Sequence, residues 1–294
     1  MKRHLTQQEI DLVLKMMEDE IPKKRVIKLL KTESRTFKRM TEEVGIEYPL
    51  FKKRIINRNP FEDLEDDRVQ YWLGWLGTDG YVEFKEGRIS LTVGIKDIDI
   101  VEKFRDFLSP KLKLVHSIHH GKFEQIGVGF KNKDVANFLQ KKVGFCENKT
   151  FNYYPKIKIT KHYIRGAFEG DGYLRWGDSK ELSIMGANKT HMEIIFNWLS
   201  EQGFHPKFHE RTPKKNQKYY TVHLYRRDEI QDLLDLIYED ADTYLERKYQ
   251  LARLVRNDER KGPKFGETAS ATPSQASTEY VDEGVTTLRG PLSM

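Results

Sequence analysis

Tyr71-Trp-Leu-Gly-Trp-Leu-Gly-Thr-Asp-Gly80 and Tyr163-Ile-Arg-Gly-Ala-Phe-Glu-Gly-Asp-Gly172 are two versions of one pattern. Each reads as an apolar helix ending in Asp-Gly. The two aspartates, Asp79 and Asp171, stand 92 positions apart (171 − 79). Gly74 and Gly166 each precede their Asp by five residues. Small residues on a helix face let two backbones approach more closely than the usual 8–10 Å axial spacing. The trailing Gly80 and Gly172 suit a left-handed helix cap. The pattern therefore predicts two helices packed on each other, with two carboxylates brought together at their C-termini. Ionised carboxylates there repel one another and the helix dipoles. A divalent cation is the simplest relief, and carboxylate pairs holding Mg²⁺ suit phosphodiester cleavage.

The two segments resemble the paired motifs of the LAGLIDADG homing endonucleases in their single-chain form, over roughly residues 65–255. The resemblance implies an α+β, pseudo-symmetric, duplicated αββαββα fold with a DNA-binding β-ribbon saddle. Asp79 and Asp171 fall on that family's metal-holding acidic position. It implies Mg²⁺, with Mn²⁺ able to substitute, and double-stranded DNA as partner. A monomer follows, because both motifs lie in one chain. The earlier acidic position of the motif survives only as Glu169, where the first copy has Gly77, so unequal halves are expected.

Composition agrees. The chain has 294 residues, enough for a sizeable core, with 33% charged and 12% aromatic residues. It shows no stretch of membrane-spanning or signal-peptide type, so an intracellular protein without membrane contact is expected. The single cysteine, Cys146, excludes an internal disulfide framework. Net charge is +6, but its distribution is uneven. Residues 22–39 hold eight Lys/Arg against one acid, and residues 205–227 hold seven against one, with Tyr219, Tyr220 and Tyr225 interleaved. Basic runs beside a metal-type carboxylate pair point to nucleic acid.

Four segments follow from the pattern. Residues 1–58 read as three short helices and a linker, the first capped by Thr6 and the third closed by Gly45. This arrangement resembles a helix-turn-helix DNA-binding unit, with Arg35, Lys38 and Arg39 as contacts and Lys53 and Arg54 following a phosphate backbone. Residues 59–150 and 151–258 form two halves, each reading helix, two strands, helix, two strands, helix. A basic helix is expected within 241–256. Residues 259–294, rich in Ser/Thr and poor in apolar residues, read as a disordered tail.

Alternation along the strands predicts a polar face turned to DNA. Its expected contacts are Arg88, Ser90, Thr92 and Lys133 in the first half. In the second they are Arg175, Lys207, Arg211, Lys214, Lys215, Lys218, Tyr219, Thr221 and His223. The resemblance adds a basic residue past the last ribbon strand of each half, here Lys131 (with Lys133 as alternate) and Arg226, and a water-positioning residue, Gln125. His116 and His119 fall on opposite strand faces, which argues against a metal cluster with His120. The leading function is site-specific cutting of DNA at a long pseudo-palindromic site, leaving staggered ends. The alternatives are a non-catalytic transcription regulator of the same fold and an RNA-splicing maturase binding intron RNA.

Overall fold

The computed structural model describes residues 3–19, 21, 23–48, 56, 58–119, 121–212 and 218–258. Lys53, Arg54, His120, Lys214, Lys215 and the tail 259–294 lie outside the described residues. The chain divides into two compact units, residues 1–57 and residues 58 onward.

The first unit has three helices, α1 (Gln7–Glu18), α2 (Lys23–Leu29) and α3 (Ser34–Glu43). Thr6 opens α1 with a capping box: its hydroxyl accepts from the Glu9 amide, and the Glu9 carboxylate accepts from the Thr6 amide. Val13, Met16, Val26, Leu30, Phe37 and Met40 form a small core closed by Ile46 and Tyr48. On α1 the buried face carries Val13 and Met16, while Leu14 is exposed. Gly45 takes a φ of +69° just past α3, as its position requires.

The second unit repeats one plan. Helix α4 (Asp67–Thr78) is followed by β1 (Gly80–Glu83), β2 (Arg88–Gly94), α5 (Ile98–Leu108), β3 (Val115–His119), β4 (Phe123–Lys131) and α6 (Lys133–Phe138). After a π-turn at Leu139–Val143 and a one-turn helix α7 (Lys149–Asn152), the order recurs. It runs α8 (Lys161–Asp171), β5 (Gly172–Trp176), β6 (Lys180–Gly186), α9 (Lys189–Glu201), β7 (Lys207–Arg211), β8 (Tyr219–Leu224) and α10 (Arg227–Tyr238). A last helix, α11 (Glu246–Asn257), follows. Both sheets are antiparallel with matching orders, β1-β2-β4-β3 and β5-β6-β8-β7. Among the described residues no helix is long and apolar enough to cross a membrane.

One face of each sheet packs on helices. Ile89, Leu91, Val93, Ile126, Val128 and Phe130 line the first, and Leu182, Ile184, Val222 and Leu224 the second. Directly paired residues share a face, so the register defines the opposite, open face. In the first sheet that face carries Arg88, Ser90, Thr92, Gln125 and Lys131. In the second it carries Arg175, Glu181, Ser183, Lys207, His209, Arg211, Tyr219, Thr221 and His223. His116 pairs with Ile126 and His119 with Phe123, on opposite faces as expected.

Candidate active site at the paired helix ends

Helices α4 and α8 are buried nearly all round because each is the other's neighbour at the centre of the unit. Glycine makes this possible. A Cβ on Gly74 would lie 2.3 Å from the Tyr163 carbonyl oxygen, and one on Gly166 would lie 2.2 Å from that of Tyr71. Nothing larger than hydrogen fits at either position. Further along, a Cβ on Gly170 would lie 2.8 Å from Asp79 Oδ2. The residue before Asp171 is thus pressed against the Asp79 carboxylate.

The trailing glycines behave differently from expectation. Gly172 caps α8 in extended backbone, with φ −87° and ψ 155°, and Gly80 begins a strand. Neither takes the left-handed conformation. They are glycines because the chain turns from helix into strand with no room for a side chain: a Cβ would lie 2.4 Å from Leu76 Cα and 2.3 Å from the Phe168 carbonyl oxygen.

The helix ends are closed by lysines instead. Lys149 Nζ donates to the Leu76 carbonyl at 2.9 Å and to that of Thr78. Lys248 Nζ donates to the carbonyls of Phe168 at 2.6 Å and Gly172 at 2.7 Å. Each motif helix thus ends on a cation, which also matches the negative pole of its dipole.

The charges of this cluster disturb one another. Burial pushes the Asp79 carboxyl up, opposed by Lys149 and Lys248. Burial and then the charge of Asp79 push Asp171 up to about 7, although part of its side chain still meets solvent. Burial lowers Lys149 to about 8 and Lys248 to about 7, against the pull of the two aspartates. Asp79 is half-buried and Asp171 is exposed, whereas Lys248 is buried, so the cluster sits at the edge of the unit's interior. Neither aspartate forms an ion pair within 4 Å, among the described residues.

The halves differ at the position two residues before each Asp. Glu169 is fully buried and accepts from the hydroxyls of Tyr71 and Tyr238 and from the Leu245 amide. Its counterpart Gly77 leaves room that Tyr153, Tyr163 and His191 fill in a hydrogen-bonded chain. Burial and the Lys149 charge push His191 down to about 3, so it is a neutral imidazole. A cavity of about 60 Å³ lies beside this chain, lined by Thr78, Lys149, Asp171 and His191.

The expected basic residues are engaged by neighbouring acids. Lys131 is exposed and paired with Glu86 at 2.9 Å, and Arg226 is exposed and paired with Asp228 at 2.6 Å. The cations whose charge reaches the aspartates are Lys149 and Lys248. Lys133 is exposed at the start of α6. Gln125 does lie on the open face, paired in register with Gly94. Arg88, Thr92, Arg175, Lys207 and Arg211 are exposed there as expected, while Ser90 is buried. Thr221 and His223 share the open face but are buried: His223 bridges Glu181 at 2.8 Å and Thr221 at 2.7 Å. Lys218 pairs with Glu210. In the first unit Arg35 and Lys38 are exposed on α3, whereas Arg39 donates to the Arg3 carbonyl.

Comparison with known proteins gives three kinds of finding. Residues 159–238 match the family profile described as LAGLIDADG-like domain. Among solved structures, I-DmoI in complex with DNA and calcium is similar at 17% identity and a TM-score of 0.44, covering 67% of this chain and 100% of that one. Full-length DUF199/WhiA from Thermatoga maritima is similar at 13% and 0.45, covering 71% and 66%. A mutant of I-SmaMI is similar at 12% and 0.40, covering 70% and 100%. No curated protein matches the chain. Residues 159–238 thus match a LAGLIDADG-like domain, and residues 67–138 repeat the element order of that segment and the Asp at the end of its first helix.

Proposed function

We propose that the protein is a site-specific, metal-dependent DNA endonuclease acting at the paired ends of α4 and α8. The observation that carries this reading is the meeting of Asp79 and Asp171 there, each helix end closed by its own lysine. Two mutually repelling carboxylates brought to one spot serve a cation and a reacting phosphate, and DNA binding alone does not call for them.

The donor set fits Mg²⁺. No group of three or more His, Cys, Asp or Glu side chains forms a metal cage among the described residues. Two hard carboxylates without cationic partners suit an ion that keeps much of its water and takes substrate phosphate oxygens as further ligands. Asp79 and Asp171 would hold it, and it would supply charge to the reacting phosphate and acidity to a water. Its charge would also restore both aspartates to the ionised form.

The lysines supply the rest. An ammonium has three N–H donors, and each lysine gives two to carbonyl oxygens. The third is free for a phosphate oxygen. In the neutral amine both remaining N–H bonds stay engaged, so the lone pair at Nζ is the part left to take a proton from water. Values near 8 and 7 place both forms within reach at neutral pH. The open faces of the two sheets, carrying Arg88, Arg175, Lys207 and Arg211, would follow the duplex. The first unit would add affinity through Arg35 and Lys38.

Incubation with a randomised duplex library and Mg²⁺, followed by sequencing of broken ends, tests this. A single long consensus with staggered ends is expected. Enrichment of bound duplexes without any broken ends would favour a regulator, and retention of RNA alone would favour a maturase.

A further inference from the structure

The two open sheet faces are related by register, and their chemistry differs. Row for row, Thr92–Gly127–Val115 in the first sheet matches Met185–Thr221–His209 in the second, and the pair Gln125–Ser117 matches Tyr219–Arg211. The edge strand of the second sheet presents Lys207, His209 and Arg211 on this face. The edge strand of the first presents Val115, Ser117 and His119, with no Lys or Arg. Three large apolar side chains stand exposed on the first face: Val115 at 61%, Phe123 at 55% and Tyr81 at 53%. They border a floor of Gly127 and Gly129, where the second sheet has the buried Thr221 and His223.

An apolar group on a surface meant for a major groove finds one matching partner on the base edges, the C5-methyl of thymine. Phosphates and the donor and acceptor atoms of the other bases offer it nothing. The same face carries Arg88 as an exposed cation, so it has a contact for the backbone that would hold the bases in place. We propose that the β1–β4 face reads thymine through its methyl groups, with Val115 as the principal contact, while the β5–β8 face binds its half-site by charge and polar readout. This assignment rests on the DNA-cutting reading and names what one half of that substrate must contain.

The whole protein is first used to select bound duplexes from a random library. Thymines of the selected site are then replaced by deoxyuridine, one half-site at a time, which deletes the methyl and leaves base pairing intact. Burying one methyl corresponds to about a fourfold change in affinity. Loss of about fourfold or more per contacted methyl is expected in one half-site only, and Val115→Ser, at an exposed edge position, should abolish that sensitivity. Equal affinity for thymine and uracil in both halves, or unchanged sensitivity in Val115→Ser, would overturn the assignment and leave the nuclease reading intact. Failure to enrich any duplex would overturn both.

Discussion

Lys248 Nζ lies 2.6 Å from the Phe168 carbonyl oxygen, one helical turn before Asp171, and Lys149 makes the equivalent bond to Leu76, three residues before Asp79. The same two lysines therefore cap the helix ends and set the charge that each carboxylate feels.

Replacing either lysine should separate these two roles. Lys149→Met and Lys248→Met are expected to lower the cleavage rate about 100-fold or more. DNA affinity should stay within about threefold, since neither amine lies on the open sheet faces. The pH–rate profile of the wild-type protein should carry a limb near 7 to 8 that the variants lose. Measuring rate against pH on a selected site checks both points.

The glycine contact between α4 and α8 sets a packing prediction. In Gly74→Ala the new methyl meets backbone at 2.3 Å, which cannot yield as a side-chain tip would. A loss of about 2–3 kcal/mol is expected, read as a lower thermal midpoint. Gly177→Ala, where nothing lies within 4 Å, is the matched control and should change stability by less than about 0.5 kcal/mol.

The carboxylate pair should leave a mark on stability as well. The folded value of Asp171 is raised, so the folded state binds more protons than the unfolded one between about pH 4 and 7. Its cost is absent below the unfolded value and fully present above the folded one. In the presence of a chelator, Asp171→Asn should therefore stabilise the protein more at pH 8 than at pH 4.5. The difference should be about 1–2 kcal/mol, reduced by the solvent-exposed part of the side chain. Denaturant melts at the two pH values test the sign.

The motifs were legible because their information is local: Gly and Asp at fixed spacing along a single helix are visible in ten residues. Strand alternation likewise revealed the open face at Arg88, Ser90 and Thr92. The lysines were not legible, because Lys149 lies 70 residues after Asp79 (149 − 79) and Lys248 77 after Asp171 (248 − 171). Lys149 sits in a four-residue helix that no periodicity announces. Only closure of the chain brings them to the helix ends. Lys131 at the end of β4 and Arg226 at the start of α10 were legible as exposed basic positions, but their ion pairs with Glu86 and Asp228 were not. Glu169 stood out as an acid in the motif, yet its partners Tyr238 and Leu245 belong to later segments.

The first unit has its own core, so its removal should leave the second folded. Residues 58–258 alone are expected to melt cooperatively and to retain metal-dependent cutting of a selected site with weaker binding. A smaller dependence of affinity on salt should accompany the loss of Arg35 and Lys38. Unchanged affinity and salt dependence would remove the first unit from DNA recognition.

The central claim is that Asp79 and Asp171 act together on one reaction. Asp79→Asn and Asp171→Asn keep side-chain size and helix geometry while removing one charge each. On a selected duplex with Mg²⁺, both single variants are predicted to lose double-strand cleavage by about 100-fold or more. They should bind that duplex as tightly as wild type or more so, because repulsion between carboxylate and phosphate is relieved. Near-native cutting by either variant would contradict the account.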